Sequence, residues 1–169
     1  MVEKHSLETA IQGWELKIAA EAEVEPTLEQ LTDHMNNEQR QAFRDKLQRY
    51  VHKQDRELFL AVRGDQVLGL VCVIDQGEFP PGLSGQKMAY LRNFACGTQL
   101  LVHPSCRRRG IGGSLLTQAE NWALKRGLAG FWITTHRMSH WYEKNFGYQQ
   151  IARIEVKGVA KTVMANKFD

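Results

Sequence analysis

The sequence predicts a mixed α/β fold (α+β by some schemes), a sheet of about seven strands with about four helices in a single domain, residues 1–169. Three features carry that expectation. Apolar, β-rich runs at residues 58–62 and 67–74 flank Gly64-Asp65-Gln66, a hairpin turn. The run Phe94–Val102 stops short of Pro104 and passes through three arginines and three glycines into an amphipathic helix. Two more strand-like runs, Gln149–Val156 and Val159–Lys167, close the chain around Lys157-Gly158.

Taken in order, Trp14, Leu16, Ile18, Ala20, Ala22 and Val24 alternate with Glu15, Lys17, Glu21 and Glu23, and a period of two predicts a half-buried strand. Thr27 and Gln30 have the spacing of a capping box, with Leu28 and Leu31 opening a short helix. A second helix fits residues 38–53, with Phe43, Leu47, Tyr50 and Val51 on one face. Residues 75–92 hold Gly77, Pro80, Pro81, Gly82, Ser84 and Gly85 and read as a long loop, usually a functional or mobile segment. The strand after it has room for a bulge near Gly97. The helix beyond the arginines is expected to bury Leu115, Leu116, Ala119, Trp122 and Ala123 and to stop at Gly127. Residues 128–134 read as a buried strand, and Ser139 caps a short helix that Gly147 ends.

Composition excludes several classes. A net charge of +3 is too small to argue for nucleic acid. No apolar stretch approaches the roughly 20 residues of a membrane span. Residues 1–12 are polar and helix-like, without a signal-peptide core. Cys72, Cys96 and Cys106 form no C-x-x-C, and no combination of His103, Cys106, His136 and His140 has zinc-ligand spacing, so no metal site is expected. They read as reduced thiols of a cytoplasmic protein. Cys96 has no activating residue next to it in the sequence and reads as a buried thiol rather than a nucleophile. Charges of both signs interleave over residues 40–57, as on a solvated face.

The informative chemistry lies in the strand–turn–helix. Glycine lets a backbone approach a ligand closely. The free N–H groups of a first helical turn, at the positive end of the dipole, make an anion site. Arginine adds permanent charge in a fork that suits phosphate. The segment from Leu100 to Leu116 is built to hold a diphosphate.

Arg107-x-x-Gly110-x-Gly112, after a strand and before a helix, resembles the acyl-CoA pyrophosphate loop of the GNAT N-acyltransferase superfamily. Downstream, Trp141-Tyr142-Glu143-Lys144-Asn145-Phe146-Gly147-Tyr148 is similar to that family's aromatic-Tyr-Glu-Lys-x-x-Gly-aromatic run. The resemblance implies a mostly antiparallel sheet that splays at the acyl-CoA strand. It implies transfer of an acetyl group from acetyl-CoA to a primary amine, on a small molecule or a protein, by direct transfer in a ternary complex. Pantetheine would pair with strand backbone near Leu101 and Val102, and an N–H there would stabilise the oxyanion. The N–H groups of Arg109, Gly110, Ile111, Gly112, Gly113 and Ser114 would face the pyrophosphate. Arg107 would anchor the loop or a phosphate, and Arg108 or Arg109 would reach the 3′-phosphate. Tyr142 would be the general acid for the leaving thiolate.

The chain departs from the family pattern twice. Many members carry a glutamate base on the strand before the loop, whereas Thr98 and Gln99 stand there in this chain. Many have asparagine six residues before the tyrosine, and here that residue is His136, able to hydrogen-bond or to act as the base. An acyl-CoA-binding sensor with little catalysis is the alternative reading. The acceptor site is expected among the two N-terminal helices, residues 75–92 and the closing hairpin, and a homodimer through that hairpin is compatible with the pattern.

Overall fold

The computed structural model describes residues 13–51 and 53–169, so the expectation for residues 1–12 lies outside the described residues. Seven strands form one sheet: β1 (Glu15–Ile18), β2 (Arg56–Arg63), β3 (Gln66–Ile74), β4 (Phe94–Val102), β5 (Gly130–Thr135), β6 (Gln149–Val156) and β7 (Val159–Lys167), in the order β1-β2-β3-β4-β5-β7-β6. Five α-helices are described: α1 (Val24–Leu31), α2 (Asn37–Gln48), α3 (Gly85–Leu91), α4 (Ile111–Lys125) and α5 (Ser139–Phe146). The predicted fold class is the observed one, mixed and mostly antiparallel. β4 and β5 pair in parallel, while β1–β2, β5–β7 and β6–β7 are antiparallel.

The β4–β5 register is unbroken from Phe94↔Gly130 to Gly97↔Ile133 and ends there. β5 continues to pair with β7 through Thr134↔Val163 and Thr135↔Thr162. Gly97 therefore marks the end of a pairing rather than a bulge against β5.

The chain forms two compact units, one ending at Cys72 and resumed by Gln99–Ala119, the other comprising Val73–Thr98 and Glu120–Asp169. In the first, Leu28, Leu47, Leu58, Leu60, Leu68, Leu70, Ile111, Leu115 and Leu116 are fully buried. The strand predicted from Trp14 to Val24 shrinks to β1, and two observations explain why. The Ala20 N–H donates to the Glu23 carboxylate at 2.7 Å, closing a turn that Lys17 also reaches through its ammonium. The alanines and glutamates that alternate here are also good helix formers, so the period of two was local coincidence. Helix α1 accordingly begins at Val24, not at Thr27, whose hydroxyl instead donates to the Glu23 carbonyl at 2.7 Å. Pro26 is tolerated because it lies in the first turn, where no N–H is needed. Helix α2 has a capping box of Asn36 and Gln39 and ends at Gln48, five residues before its predicted stop. Tyr50 and Val51 are still buried, carried by the turn that follows.

The second unit corrects the long loop. Residues 85–91 fold into α3, whose N-terminus is capped by the Ser84 hydroxyl accepting from the Lys87 N–H. With it the helix count rises from the expected four to five. The segment buries Leu83 and Leu91 against Phe94, Cys96, Trp132, Ile154 and Val163. Trp122, expected in the core, is only half-buried, and the Arg126 guanidinium stacks 4.4 Å from its ring centre. Ser139 is the first residue of α5 rather than its cap, and the preceding Met138 N–H is taken up by the Thr135 hydroxyl at 3.0 Å. Gly147 ends that helix in the left-handed conformation, as expected.

One glycine in the first unit is set by close approach. A Cβ built on Gly69 of β3 would stand 2.8 Å from the Leu101 carbonyl oxygen and 3.1 Å from Leu115 Cδ1. The bare backbone there lets the start of α4 come down beside the end of β4. Gly69→Ala is expected to cost about 1–3 kcal/mol, because backbone must move to admit the methyl. Gly85→Ala, at the open start of α3 with nothing within 4 Å, is expected to be neutral or stabilising by under about 1 kcal/mol. Urea denaturation of the two variants checks both.

Candidate active site

The loop after β4 is closed by its own backbone. The His103 N–H donates to the Leu68 carbonyl at 2.8 Å, tying the strand end to β3. Residues Pro104–Cys106 form a 3-10 turn in which the Ser105 N–H donates to His103 Nδ1 at 3.2 Å. The Ser105 hydroxyl lies 2.7 Å from the same nitrogen, and Cys106 is buried beneath. Arg107 Nε donates back to the Val102 carbonyl at 3.4 Å, so Arg107 anchors the loop.

Beyond it the chain turns through two left-handed residues, Arg108 at φ 62° and Gly110 at φ 80°. Glycine meets this demand without strain, and Arg108 meets it at a cost of about 1–2 kcal/mol. Gly110 precedes α4 and has no side chain to cap it, while its carbonyl accepts from the Ser114 N–H at 3.0 Å. The N–H groups of Ile111, Gly112 and Gly113 thus begin a helix with no intrahelical acceptor. The guanidinium groups of Arg108 and Arg109 are exposed and make no side-chain hydrogen bond among the described residues. A bare, positively polarised turn with two uncommitted guanidinium groups beside it can hold an anion with several oxygens.

The strand feeding this loop carries no carboxylate. Gln99 is half-buried, and its amide oxygen accepts from Lys46 Nζ of α2 at 3.2 Å. An amide so fixed cannot take a proton from an amine.

Leu101, Val102 and all eight residues from Arg107 to Ser114 lie in the first unit, and Tyr142 and His136 lie in the second. Tyr142 is 6% exposed, with Trp141 edge-on at 4.9 Å and Tyr148 tilted at 5.3 Å between ring centres. Its hydroxyl has no hydrogen-bond partner among the described residues. Burial pushes the Tyr142 phenol up to about 12. His136 is exposed, and its Nδ1 lies 2.8 Å from the Ala160 carbonyl oxygen. A carbonyl only accepts, so Nδ1 carries a proton, and in the neutral ring Nε2 presents a lone pair. His136 and Tyr142 make no hydrogen bond to each other.

The sequence reading missed the partners of the aromatic pair. Glu120 on α4 accepts from the Tyr148 hydroxyl at 2.5 Å and from Asn166 Nδ2 at 3.2 Å. Burial raises the Glu120 carboxyl above its ordinary range, and these two donors pull it back. The signal available was a carboxylate between Ala119 and Ala123 on the apolar side of a helix. Among the described residues no group of three or more His, Cys, Asp or Glu side chains is placed to hold a metal ion. No described helix is long and apolar enough to cross a membrane.

Residues 21–148 match the model of the Acetyltransferase (GNAT) family. The chain belongs to that family. Among solved structures it is similar to PaiA N-acetyltransferase from Thermoplasma acidophilum in complex with coenzyme A, at 17% identity and TM-score 0.66, covering 92% of this chain and 99% of that one. Spermidine/spermine N-acetyltransferase SpeG from Vibrio cholerae matches at 13% identity and TM-score 0.64, over 92% and 93% of the two chains. Ard1 from Thermoplasma volcanium matches at 13% identity and TM-score 0.65, over 92% and 97%. At such identities the likeness establishes the fold. No curated relative matches in sequence.

The buried phenol makes stability depend on pH at the alkaline end. Below pH 10 folded and unfolded chains both keep the Tyr142 proton, and between pH 10.0 and about 12 only the folded chain does. The unfolded state then binds fewer protons, so raising pH across that window favours unfolding, by roughly 2–3 kcal/mol at its end. Urea midpoints measured from pH 9 upward should fall more steeply for the native chain than for Tyr142→Phe.

Proposed function

We propose that the chain is an N-acetyltransferase that moves an acetyl group from acetyl-CoA to a primary amine by direct transfer in a ternary complex. The observation that carries this reading is the first turn of α4, which follows Gly110 with no side chain to cap it, flanked by the exposed Arg108 and Arg109 and tied to the end of β4. The pyrophosphate of coenzyme A lies on the N–H groups of Arg109, Gly110, Ile111, Gly112, Gly113 and Ser114. Arg108 or Arg109 takes the 3′-phosphate. Pantetheine runs along Leu101 and Val102, whose backbone offers an N–H to the thioester oxyanion. The whole chain serves as one acyltransferase domain. Its three buried cysteines, none of them in a disulfide, suit a reducing, cytoplasmic setting.

The chemistry needs three things: a neutral amine, a stabilised oxyanion and a donor for the leaving thiolate. Tyr142 supplies the last. A phenol at about 12 keeps its proton at neutral pH, and a thiol titrates near 8.5, so Tyr142 donates a hydrogen bond to the departing sulfur without losing its proton completely. His136, with its Nδ1–H spent on Ala160, offers Nε2 as acceptor for the amine proton. The fold neighbour SpeG acts on spermidine and spermine by its name. Spermidine is therefore one member of the test panel, with an aminoglycoside, lysine and a short peptide bearing a free N-terminus.

The absent strand carboxylate favours one other reading, a module that binds acyl-CoA and turns it over poorly. Thiol release from acetyl-CoA with the amine panel decides between them. Turnover with any amine supports the enzyme, and coenzyme A binding without turnover supports the sensor. Tyr142→Phe should lower kcat about 100-fold with coenzyme A affinity retained. Gly112→Asp, which places a carboxylate where the pyrophosphate is proposed, should weaken coenzyme A binding by calorimetry more than about tenfold. An acidic residue in the first helical turn is otherwise favourable, so its melting temperature should hold.

A further inference from the structure

We propose that Glu120 is a positioning residue for Tyr142 and acts through Tyr148, a role that rests on the reading of Tyr142 as the donor to the leaving sulfur. The Tyr142 hydroxyl has no hydrogen-bond partner among the described residues, so the rings packed against it decide where it sits. Trp141 lies edge-on to it, and Tyr148 tilts against it at 5.3 Å. Tyr148 is also joined to Tyr142 through the backbone, its N–H donating to the Tyr142 carbonyl at 3.3 Å across the helix end at Gly147. Tyr148 is therefore the wall against which Tyr142 rests.

That wall is pinned at its far end. The Tyr148 hydroxyl donates to Glu120 at 2.5 Å, within the range of a charge-assisted O–H···O⁻ bond, which is about twice as strong as a neutral one. Asn166 of β7 donates to the same carboxylate oxygen at 3.2 Å and keeps it from swinging away. A phenylalanine at this place would bury the same ring with nothing to fix its tip. Stability alone is a poor account of the arrangement. Desolvating a carboxylate is costly, and replacing buried polar pairs with apolar groups of similar shape is often neutral or stabilising. What a carboxylate gives that an apolar residue does not is a fixed direction for the Tyr148 ring, and so a fixed seat for Tyr142.

The test uses the full chain labelled with 13C at tyrosine, whose four tyrosine signals are few enough to assign by substitution. Glu120→Ala and Tyr148→Phe should shift or broaden the Tyr142 signal. They should lower kcat about tenfold or more with acetyl-CoA and the panel amine turned over fastest, and leave coenzyme A affinity within about twofold. Glu120→Gln, which keeps an oxygen acceptor for the Tyr148 hydroxyl, should restore most of both. In a Tyr142→Phe background, Glu120→Ala should cost nothing further. An unmoved Tyr142 signal, or the same kinetic loss with and without Tyr142, overturns the proposal. Should Glu120→Ala fail to fold, Tyr148→Phe decides on the same readouts. If Tyr142→Phe alone leaves kcat unchanged, the leaving-group reading is lost, while the Tyr142 signal still reports whether Glu120 sets the ring.

Discussion

A helix that starts without a cap is the constraint on which the rest of the first unit depends. Helix starts are normally satisfied by a side chain, and substituting such a cap costs about 1 kcal/mol. In this chain Asn36 caps α2 and Ser84 caps α3, while α1 and α5 begin after Glu23 and Met138 without a side-chain cap. At α4 the preceding residue is Gly110, which has no side chain with which to cap, and the turn leading in bends through Arg108 and Gly110 in the left-handed region. The local energy is poor, so tertiary structure must hold the turn in place. It does so with Arg107 and His103 bonded back to Val102 and Leu68, and with Gly69 clearing the way for the first turn of α4. These features make sense together if the N–H groups are kept for a ligand.

The second unit applies the opposite strategy to its phenol. Tyr142 is packed by rings and its hydroxyl has no hydrogen-bond partner among the described residues; burial drives its proton affinity up and keeps it a donor. The polar work is done one residue away in space, where Tyr148, Glu120 and Asn166 satisfy one another. Burial raises the Tyr148 phenol well above its ordinary range, and the neighbouring Glu120 adds to it. Both tyrosines thus remain protonated, one engaged and one free.

Much of this was legible in the sequence, and the reasons differ by element. Punctuation by Gly and Pro marked the hairpin at Gly64, the turn at Lys157-Gly158, the end of α5 and the strand–turn–helix, because those residues act locally. The stretch from Trp14 to Val24 misled because alanine and glutamate serve a helix as well as an alternating strand. Residues 85–91 misled because their glycine and proline neighbours masked one short helix. The Glu120 cluster was out of reach for a different reason: its members are 28 and 46 positions apart and meet only through the fold. Lys46 and Gln99, 53 apart, are the same case. Gly69 read as a strand residue, and only the packing of Ile111 and Leu115 above it shows why a side chain is excluded.

The missing strand carboxylate removes the smaller of two contributions to the rate. A well-placed general base contributes about 10²–10⁴ in rate, or roughly 3–5 kcal/mol. Holding donor and acceptor together in reacting geometry contributes about 7–11 kcal/mol. On the proposed reading, the second and larger effect resides in the loop and the end of β4 that hold the thioester carrier. The first can be supplied from another side chain or through water, and His136, its tautomer set by the Ala160 carbonyl, faces outward with the lone pair such a role requires. On the proposed reading, a strand that gives Gln99 to Lys46 in place of a carboxylate therefore alters where the amine proton goes rather than how the thioester is held.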